Sequence, residues 1–252
     1  MIELILPPLL LSIVLVGIHA FYGLEIIKRG IIFTDLAIGQ TAALGAALSI
    51  LLLDGAYLYP LTVLFALLAG LLVALATKRE QNLEAFIGLL YALTASATVL
   101  VLSKSSHGTE ALQTLLAADI LFTQNEAILH AFVLHALTAL VLYFVYRRAV
   151  GLVREFLFFL TFSVTVASSV KLAGVLVVFA MLVAPAFIVI ISGCRHCLFG
   201  AWGVGTALNM AGVLLSYLYD YPTGYMIVFV HAFVAIIVSF FAKEEPCRSS
   251  KP

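Results

Sequence analysis

The sequence predicts an all-α protein that crosses a lipid bilayer about nine times. Three observations predict this fold class: the composition, the spacing of the apolar segments and the placement of the basic residues. Apolar residues make up 64% of the 252 residues and charged residues only 10%, against about 45–50% and about 25% in soluble domains. Such a chain has too little polar surface to cover itself in water.

Long apolar segments alternate with short polar turns, and each is close to the length of about 20 residues that a membrane-spanning helix needs. We expect spans at residues 4–26, 31–53, 57–77, 83–103, 126–147, 153–170, 172–193, 198–219 and 224–242. The apolar run at 156–193 must reverse, because one helix of that length would be about 57 Å long. The reversal is expected at residues 170–174.

One apolar stretch, residues 109–121, is too short to span a bilayer. It also contains Glu110 and Asp119, which a lipid-embedded helix would not bury without a partner. We therefore expect a short re-entrant or interfacial helix in this stretch.

The basic residues predict the orientation of the chain. Cytoplasmic loops of membrane proteins collect Lys and Arg. With the N-terminus outside and nine spans, eleven of the thirteen fall in the inner loops and tail, and only Lys104 and Lys171 fall outside. We therefore expect the N-terminus outside and the C-terminus inside, with one transmembrane domain at 1–242 and a short cytoplasmic tail at 243–252.

Several functions are excluded at this stage. The net charge is zero, and the sequence has no run of basic residues of the kind that binds a phosphate backbone. Nucleic acid is therefore not an expected partner. No Walker loop, nucleophile elbow or dinucleotide fingerprint occurs, so ATP chemistry would require another chain. Cys194 and Cys197 resemble half of a zinc site, but structural zinc needs four ligands, and a reduced cytoplasmic turn is the favoured interpretation.

Ionisable side chains within a span are costly and usually face a partner or a pathway. The expected transport-path residues are Asp35, Gln40, His19, His135 and His231. Asp35 has two other interpretations, as a first-turn carboxylate that favours the helix N-terminus or as a partner of Arg29. Gln40 lies about 140° from Asp35 around a regular helix, so both line one path only if the helix bends near Gly39. His19 and His231 are single histidines in separate helices, and such a residue is more often a hydrogen-bonded packing residue than a ligand.

Glu126 and His130 are four residues apart, which places a carboxylate and an imidazole on one helix face. Both groups are suitable ligands for zinc, manganese or iron. With Asp35 they form the predicted metal-binding set. The alternative is a capping carboxylate and a histidine that reaches towards the membrane surface.

Three stretches of the sequence carry motifs. Residues 28–45, KRGIIFTDLAIGQTAALG, contain a basic-Gly turn, an Asp and a polar residue shortly before a Gly. Residues 170–186, VKLAGVLVVFAMLVAPA, contain a Val-Gly turn, an apolar run and a Pro-Ala pair. Residues 219–224, YDYPTG, fit an Asp-x-Pro-x-Gly helix opening. In this order and spacing, the three resemble the permease subunit of ABC importers for zinc, manganese or iron, over nearly the whole chain.

The resemblance implies a multi-pass permease of the cytoplasmic (inner) membrane that imports a divalent metal ion by alternating access. It implies a transporter subunit and not an enzyme, with ATP hydrolysed on separate cytoplasmic ABC ATPase subunits. Its other expected partners are membrane lipid, a second copy in a homodimer, and an extracytoplasmic metal-binding protein. The metal ion (zinc, manganese or iron) is the cargo, and no covalently bound cofactor is expected.

The resemblance also implies roles for particular positions besides Asp35 and Gln40. The expected helix-break or hinge residues are Gly174, Pro185, Pro222 and Gly224. The expected ATPase-contact residues, in the loop at 147–155 (RRAVGLVRE), are Arg147, Arg148, Gly151 and Arg154.

The sequence departs from the family pattern at two places. Many members carry a histidine after the Asp of the second helix, where this chain has Gly39 and Gln40. Members also usually have a longer inner loop with an Ala-x-x-x-Gly coupling helix, which residues 147–155 are too short to hold. Two alternatives therefore stand beside the metal importer: an ATPase-independent secondary transporter or channel for a cation, and an ABC permease for an iron chelate or vitamin.

Overall fold

The computed structural model describes residues 2–77, 82–118, 120, 123–193 and 197–242, with side chains from Leu6 onward. Its helices are α1 (Ile2–Arg29), α2 (Thr34–Leu53), α3 (Leu58–Ala76), α4 (Leu83–Leu102), α5 (Gly108–Leu116), α6 (Asn125–Val141), α7 (Gly151–Ala173), α8 (Val175–Ile191), α9 (Cys197–Tyr219) and α10 (Thr223–Phe241). A π-helical turn, Leu142–Tyr146, extends α6. Asp119, Cys194 and the predicted tail at 243–252 lie outside the described residues.

The predicted all-α, polytopic fold is confirmed. Among the described residues, eight helices are long and apolar enough to cross a membrane, and α8 is a shorter apolar helix. The short helix α5 falls within the stretch predicted to be re-entrant or interfacial. The side of the membrane that each terminus faces stays a prediction.

Four helices form the centre of the bundle. Most residues of α1, α2, α7 and α8 are buried, against about a third or fewer in the apolar windows of the other spans. α8 packs against α1, α2, α7, α9 and α10. Because lipid tails are as apolar as leucine, such helices associate through close packing, which small residues permit. Gly45 of α2 is one example, since a Cβ there would lie 2.9 Å from Phe65 Cβ of α3.

The peripheral helices present large apolar side chains outward. Leu89 and Leu93 of α4 are 71% and 67% exposed, and Phe240 and Phe241 of α10 are 80% and 82% exposed. An apolar surface of this extent is typical of a membrane-facing protein. These side chains are therefore placed to contact lipid tails.

One end of the bundle is built around α5 and is called the α5 end below. Gly174, at φ 87 and ψ 161, separates α7 from α8. A Cβ on Gly174 would lie 2.7 Å from backbone atoms of Leu116 and Ala117, and the Ala118 N–H donates to the Ala173 carbonyl at 3.0 Å. α5 is therefore held against the α7–α8 break by backbone contacts.

The opposite end is called the Arg29 end. Arg29 Nη1 donates to Glu155 Oε2 at 2.5 Å and Nη2 donates to the Tyr146 hydroxyl at 3.1 Å. The guanidinium carbon also lies 4.1 Å from the ring centroid of Phe158. One side chain thus joins the last turn of α1, the π-helical turn after α6 and the first turns of α7.

Candidate functional site

Two histidines that are distant in sequence meet in the interior of the bundle. His19 of α1 and His135 of α6 are 0% and 4% exposed, and their ring centroids are 5.9 Å apart with an interplanar angle of 67°. At 1.5 Å per residue, His19 lies about 15 Å from the end of α1 and His135 about 15 Å from the start of α6. The pair therefore sits near the middle of the bundle's height.

His19 has one nitrogen engaged and one free. Its Nδ1 lies 2.7 Å from the Leu15 carbonyl oxygen. Because a carbonyl only accepts, the hydrogen-bond network assigns the proton of a neutral His19 to Nδ1. Its Nε2 is then a lone-pair atom, buried and without a hydrogen-bond partner among the described residues.

His135 likewise has one ring nitrogen that is hydrogen-bonded and one that is not, but its partner is a serine hydroxyl. The Ser168 hydroxyl donates to the Thr165 carbonyl at 2.9 Å, so its oxygen is left to accept from His135 Nε2–H at 3.1 Å. Ser169 Oγ lies 3.4 Å from the same nitrogen. His135 Nδ1, on a ring beside the backbone of Val14, makes no hydrogen bond of good geometry within the described structure.

His231 of α10 repeats the pattern, but no second imidazole among the described residues is in ring contact with it. Its Nδ1 donates to the Ile227 carbonyl at 3.1 Å. Its Nε2 is buried and has no hydrogen-bond partner in the described part of the chain.

Asp35 is buried in the first turn of α2, at 1% exposure. Its Oδ1 has no hydrogen-bond partner among the described side chains and backbone. Arg29 pairs with Glu155 and lies 3.9 Å from Glu25, so the structure does not support the alternative in which Arg29 neutralises Asp35. Nearby, the Phe33 N–H donates to Glu84 Oε1 at 3.4 Å.

Gln40 is also buried, at 5% exposure. Its neighbour Gly39 faces the α7–α8 break, where a Cβ would lie 3.0 Å from Val175 Cγ1. α2 is one uninterrupted helix from Thr34 to Leu53. The helix is therefore not broken between Asp35 and Gln40, which a common face for the two side chains would require.

The structure does not bring together the predicted metal-binding set. Glu126 and His130 are exposed in the first turns of α6. α6 and its π-helical turn end beside Arg29, so those first turns lie about 30 Å away, whereas Asp35 follows closely after Arg29 in the chain. Over the described ranges, no three His, Cys, Asp or Glu side chains are grouped closely enough to hold a metal ion.

The predicted helix-break residues occupy different positions. Gly174 separates two helices, whereas Pro185 lies inside α8, which continues through it. A proline removes one backbone donor, but the helix around it can persist when neighbouring helices support it, and Pro185 packs 3.0 Å from a Cβ built on Gly205. Pro222 precedes α10, and Gly224 lies in its first turn against Ala117 and Ala118, which follow α5. Whether these positions act as hinges stays a prediction.

The predicted ATPase-contact residues are exposed at the Arg29 end. The Arg147 guanidinium lies 5.1 Å from the Tyr143 ring centroid, and that of Arg154 lies 4.8 Å from the Tyr146 ring centroid. Arg148 donates to the Phe144 carbonyl at 3.3 Å. Gly151 begins α7 at φ 56. The loop is therefore fixed to the last turn of α6 and, through Glu155, to α1.

Ser168 and Ser169 are functional candidates that the sequence reasoning missed. They lie in the apolar run of α7, where two adjacent hydroxyls could have been noted, but their pairing with His135 depends on helix packing. A cavity of about 320 Å³ at the α5 end is lined in part by Tyr59, His130, Ser168 and Lys171. Ser168 thus lines this cavity and also contacts His135 Nε2.

The described residues thus form an all-helical bundle with partnerless imidazole nitrogens in its interior. Residues 149–242 match the profile of a family described as the ABC 3 transport family. The resemblance found in the sequence is therefore confirmed over this part of the chain, which is similar to the ABC 3 transport family.

Two solved structures share the fold. PsaBC from Streptococcus pneumoniae, determined in complex with a Fab, is 18% identical, with a TM-score of 0.76 over 97% of this chain and 92% of that chain. A metal-chelate type ABC transporter in an inward-facing conformation is 20% identical, with a TM-score of 0.66 over 93% and 85%. The comparison with curated proteins found no match.

Proposed function

We propose that this chain is the permease subunit of an ABC-type importer that moves a divalent metal ion, zinc, manganese or iron, across the cytoplasmic membrane. The observation that carries the proposal is the pair His19 and His135, two buried imidazoles with unbonded nitrogens midway through the bundle. Sites of transporters commonly lie near the bilayer midplane, and intramembrane ionisable residues mark ion pathways. The family match and the shared fold support the ABC class.

Transport by this chain requires two conformations whose populations a partner shifts. In the proposed orientation, with the N-terminus outside and the C-terminus inside, the Arg29 end faces the cytoplasm and a separate ATPase docks on residues 147–155. The Arg29–Glu155 pair supports this assignment, because it joins that loop to the helix that carries His19. The α5 end then faces the extracytoplasmic protein that delivers the ion.

The proposed assembly is a homodimer of the permease with two ATPase subunits. The decisive experiment uses the permease co-purified with its ATPase and reconstituted into proteoliposomes. We expect accumulation of radioactive zinc, manganese or iron that depends on ATP. Accumulation without ATP would support the secondary-transporter alternative and contradict the ABC proposal, and light scattering of the complex measures the number of permease copies.

A permease for a metal chelate is the second candidate. A groove of about 560 Å³ runs along α8 and α10 and is lined almost wholly by apolar side chains, among them Phe179, Val183 and Phe187. A bulky organic ligand fits such a surface better than a bare ion does. Competition between the free ion and the same ion in a chelate, in the same proteoliposomes, distinguishes the two substrates.

A further inference from the structure

We propose that the cavity between α3, α6 and α7 at the α5 end is a binding site for an anionic phospholipid of the surrounding membrane. The lipid phosphate would lie at Lys171, and one acyl chain would follow α6 towards the middle of the bilayer. The cavity volume of about 320 Å³ is within the range of about 300–1,000 Å³ that small-ligand sites have. This inference goes beyond the proposed transport function and does not depend on it.

The cavity lies at the depth of lipid headgroups. Tyr59 is in the first turn of α3, Lys171 is in the last turn of α7, and His130 is in the second turn of α6. At 1.5 Å per residue, each is within about 8 Å of a helix end. Tyr219 and Tyr221 are also exposed at this end of the bundle, and tyrosine collects at the membrane–water interface. The polar residues of the cavity can therefore reach a phosphate.

Lys171 provides a cation without a carboxylate partner. Its ammonium lies 4.8 Å from the Tyr59 ring centroid, and within the described ranges no carboxylate oxygen lies within 4.0 Å of it. A lysine near a helix end in a membrane extends its ammonium towards the headgroups. A phosphate placed there would accept hydrogen bonds from this ammonium and from the neighbouring Tyr59 hydroxyl or His130 ring N–H.

The nearest acidic residue does not decide the charge of the cavity. Glu126 is exposed in the first turn of α6. It precedes Ala127, which lines the cavity, and is therefore turned about 100° around the helix from it. Among the residues that line the cavity, Lys171 alone carries a full charge. The site therefore favours a ligand with net negative charge.

The inner part of the cavity suits an acyl chain. The Ser168 hydroxyl already donates to a carbonyl and accepts from an imidazole nitrogen, so it leaves little hydrogen-bonding capacity for a ligand. Leu137 and Val141 follow Leu134 by three and seven residues, which continues the same helix face, and both are exposed. The other lining residues are Ala127, Ala131, Leu134 and Leu172.

This division between a polar mouth and an apolar floor favours a lipid over a free anion. A free phosphate would contact only the donors at the mouth, whereas a phospholipid also covers the apolar surface below them. The acyl chain stays in hydrocarbon when the lipid binds, so its contact with α6 requires no transfer from water. Phosphatidylglycerol, with one phosphate and no cationic group of its own, is the simplest ligand of this class.

The first test titrates phosphatidylglycerol into the purified full-length chain in detergent and counts bound lipids by native mass spectrometry. Because one basic residue near the membrane surface strengthens binding of anionic lipid about fivefold, we expect Lys171→Gln to lower the affinity by about that factor. Lys104→Gln, on an exposed lysine at the same end and outside the cavity, should bind as the parent does. Equal affinity in all three proteins, or an equal loss in both variants, would overturn the proposal.

The headgroup requirement is tested with other ligands on the parent chain. Phosphatidylcholine carries its own ammonium beside the phosphate, so we expect it to bind about fivefold more weakly than phosphatidylglycerol. Diacylglycerol, which has no phosphate, should bind less still. Diacylglycerol that binds as tightly as phosphatidylglycerol would contradict the phosphate contact. Displacement of the lipid by an equal concentration of inorganic phosphate would show a free-anion site and overturn the lipid assignment.

The acyl-chain contact is tested by filling the cavity. Ala127→Leu adds bulk to the lining without changing a charge, and we expect it to lower the affinity for phosphatidylglycerol by at least about fivefold, because the added atoms overpack the site. Ala136→Leu is the matched control, since nine residues place Ala136 on the opposite face of α6, where it is exposed. Thermal unfolding without lipid verifies that both variants fold. Unchanged binding in folded Ala127→Leu protein would overturn the proposal.

Discussion

The two ends of the bundle are closed by different kinds of contact. At the α5 end, glycines bring backbone against backbone, as at Gly174 and Gly224. At the Arg29 end, long side chains join the helices, with Arg29 bonded to Glu155 and Tyr146. The first kind of contact leaves no room for a side chain, whereas the second can be broken and remade by rotamer changes.

The difference teaches which movements each end allows. Close-packed interfaces resist gradual deformation, so the α5 end opens only if α5 moves as a unit away from α7, α8 and α10. The Arg29 end opens by exchanging ion-pair and hydrogen-bond partners while its helices shift by small amounts. In an importer of the proposed kind, an ATPase bound near residues 147–155 acts on the more adaptable end.

The largest expected effect is that of Gly174→Ala. The φ and ψ of Gly174 belong to a region that only glycine adopts readily, which costs about 1–3 kcal/mol for other residues. The added Cβ would also meet backbone of α5 at 2.7 Å, and such overpacking costs about 1–3 kcal/mol more. Thermal unfolding of the purified protein measures the loss. Gly193→Ala, at φ 65 with no described atom within 4 Å, is the control, and an equal loss in both variants would contradict the backbone-contact account.

Gly224→Ala tests the same end without backbone strain. A Cβ there would lie 2.6 Å from the Ala118 carbonyl oxygen, and overpacking of about 1–3 kcal/mol is offset in part by the better helix propensity of alanine, about 1 kcal/mol. We expect a net loss of up to about 2 kcal/mol, which thermal unfolding measures. Gly203→Ala in α9, with open space around it in the described structure, should lose nothing. A loss at both sites would point to a general intolerance of alanine.

Arg29→Gln tests the other end and should cost less. The Arg29 and Glu155 side chains retain 22% and 30% exposure, so water can replace part of their interaction and the expected loss is about 1 kcal/mol. A double-mutant cycle with Glu155→Gln, followed by thermal unfolding, isolates the pair. Arg148→Gln, on the exposed loop, is the control. A coupling energy near zero would show that the Arg29–Glu155 pair does not stabilise this end of the bundle.

The smallest expected effect is that of Tyr59→Leu, which removes a side-chain contact at the α5 end. The Lys171 ammonium lies 4.8 Å from the Tyr59 ring centroid, and an exposed contact of this kind is worth about 0.5–1 kcal/mol. Tyr59→Leu should lower stability by that amount, and Tyr57→Leu, on a more exposed tyrosine, by less. A loss at Tyr59 as large as that at Gly174 would mean that side chains also hold this end together.

The sequence predicts the spans well, because each depends on a local property, the length of an apolar run. The α7–α8 break could be predicted for the same reason, since Gly174 interrupts a run too long for one helix. The pairing of His19 with His135 could not, because it depends on which faces of α1 and α6 meet. Ser168 acquires its role only through that contact.

The structure does not group the three residues of the predicted metal-binding set within one chain, for a reason that the sequence itself contained. The predicted orientation already placed Asp35 near the inner end of the second span and Glu126 with His130 near the outer end of the fifth. Residue chemistry suggested the three ligands, but height in the membrane separates them. The Arg29–Glu155 bond, across 126 residues, is likewise a result of packing and not of any local pattern.

The π-helical turn at Leu142–Tyr146 makes this region sensitive to chain length. Such a turn accommodates a residue more than an α-helical turn does, and each residue of an α-helix advances by about 100°. Deleting one residue there would restore regular winding and swing the phenol of Tyr146 out of its place between Arg29 and Arg154. The number of residues in this turn therefore matters as much as their identity, because a one-residue deletion would rotate every later side chain of the helix by about 100°.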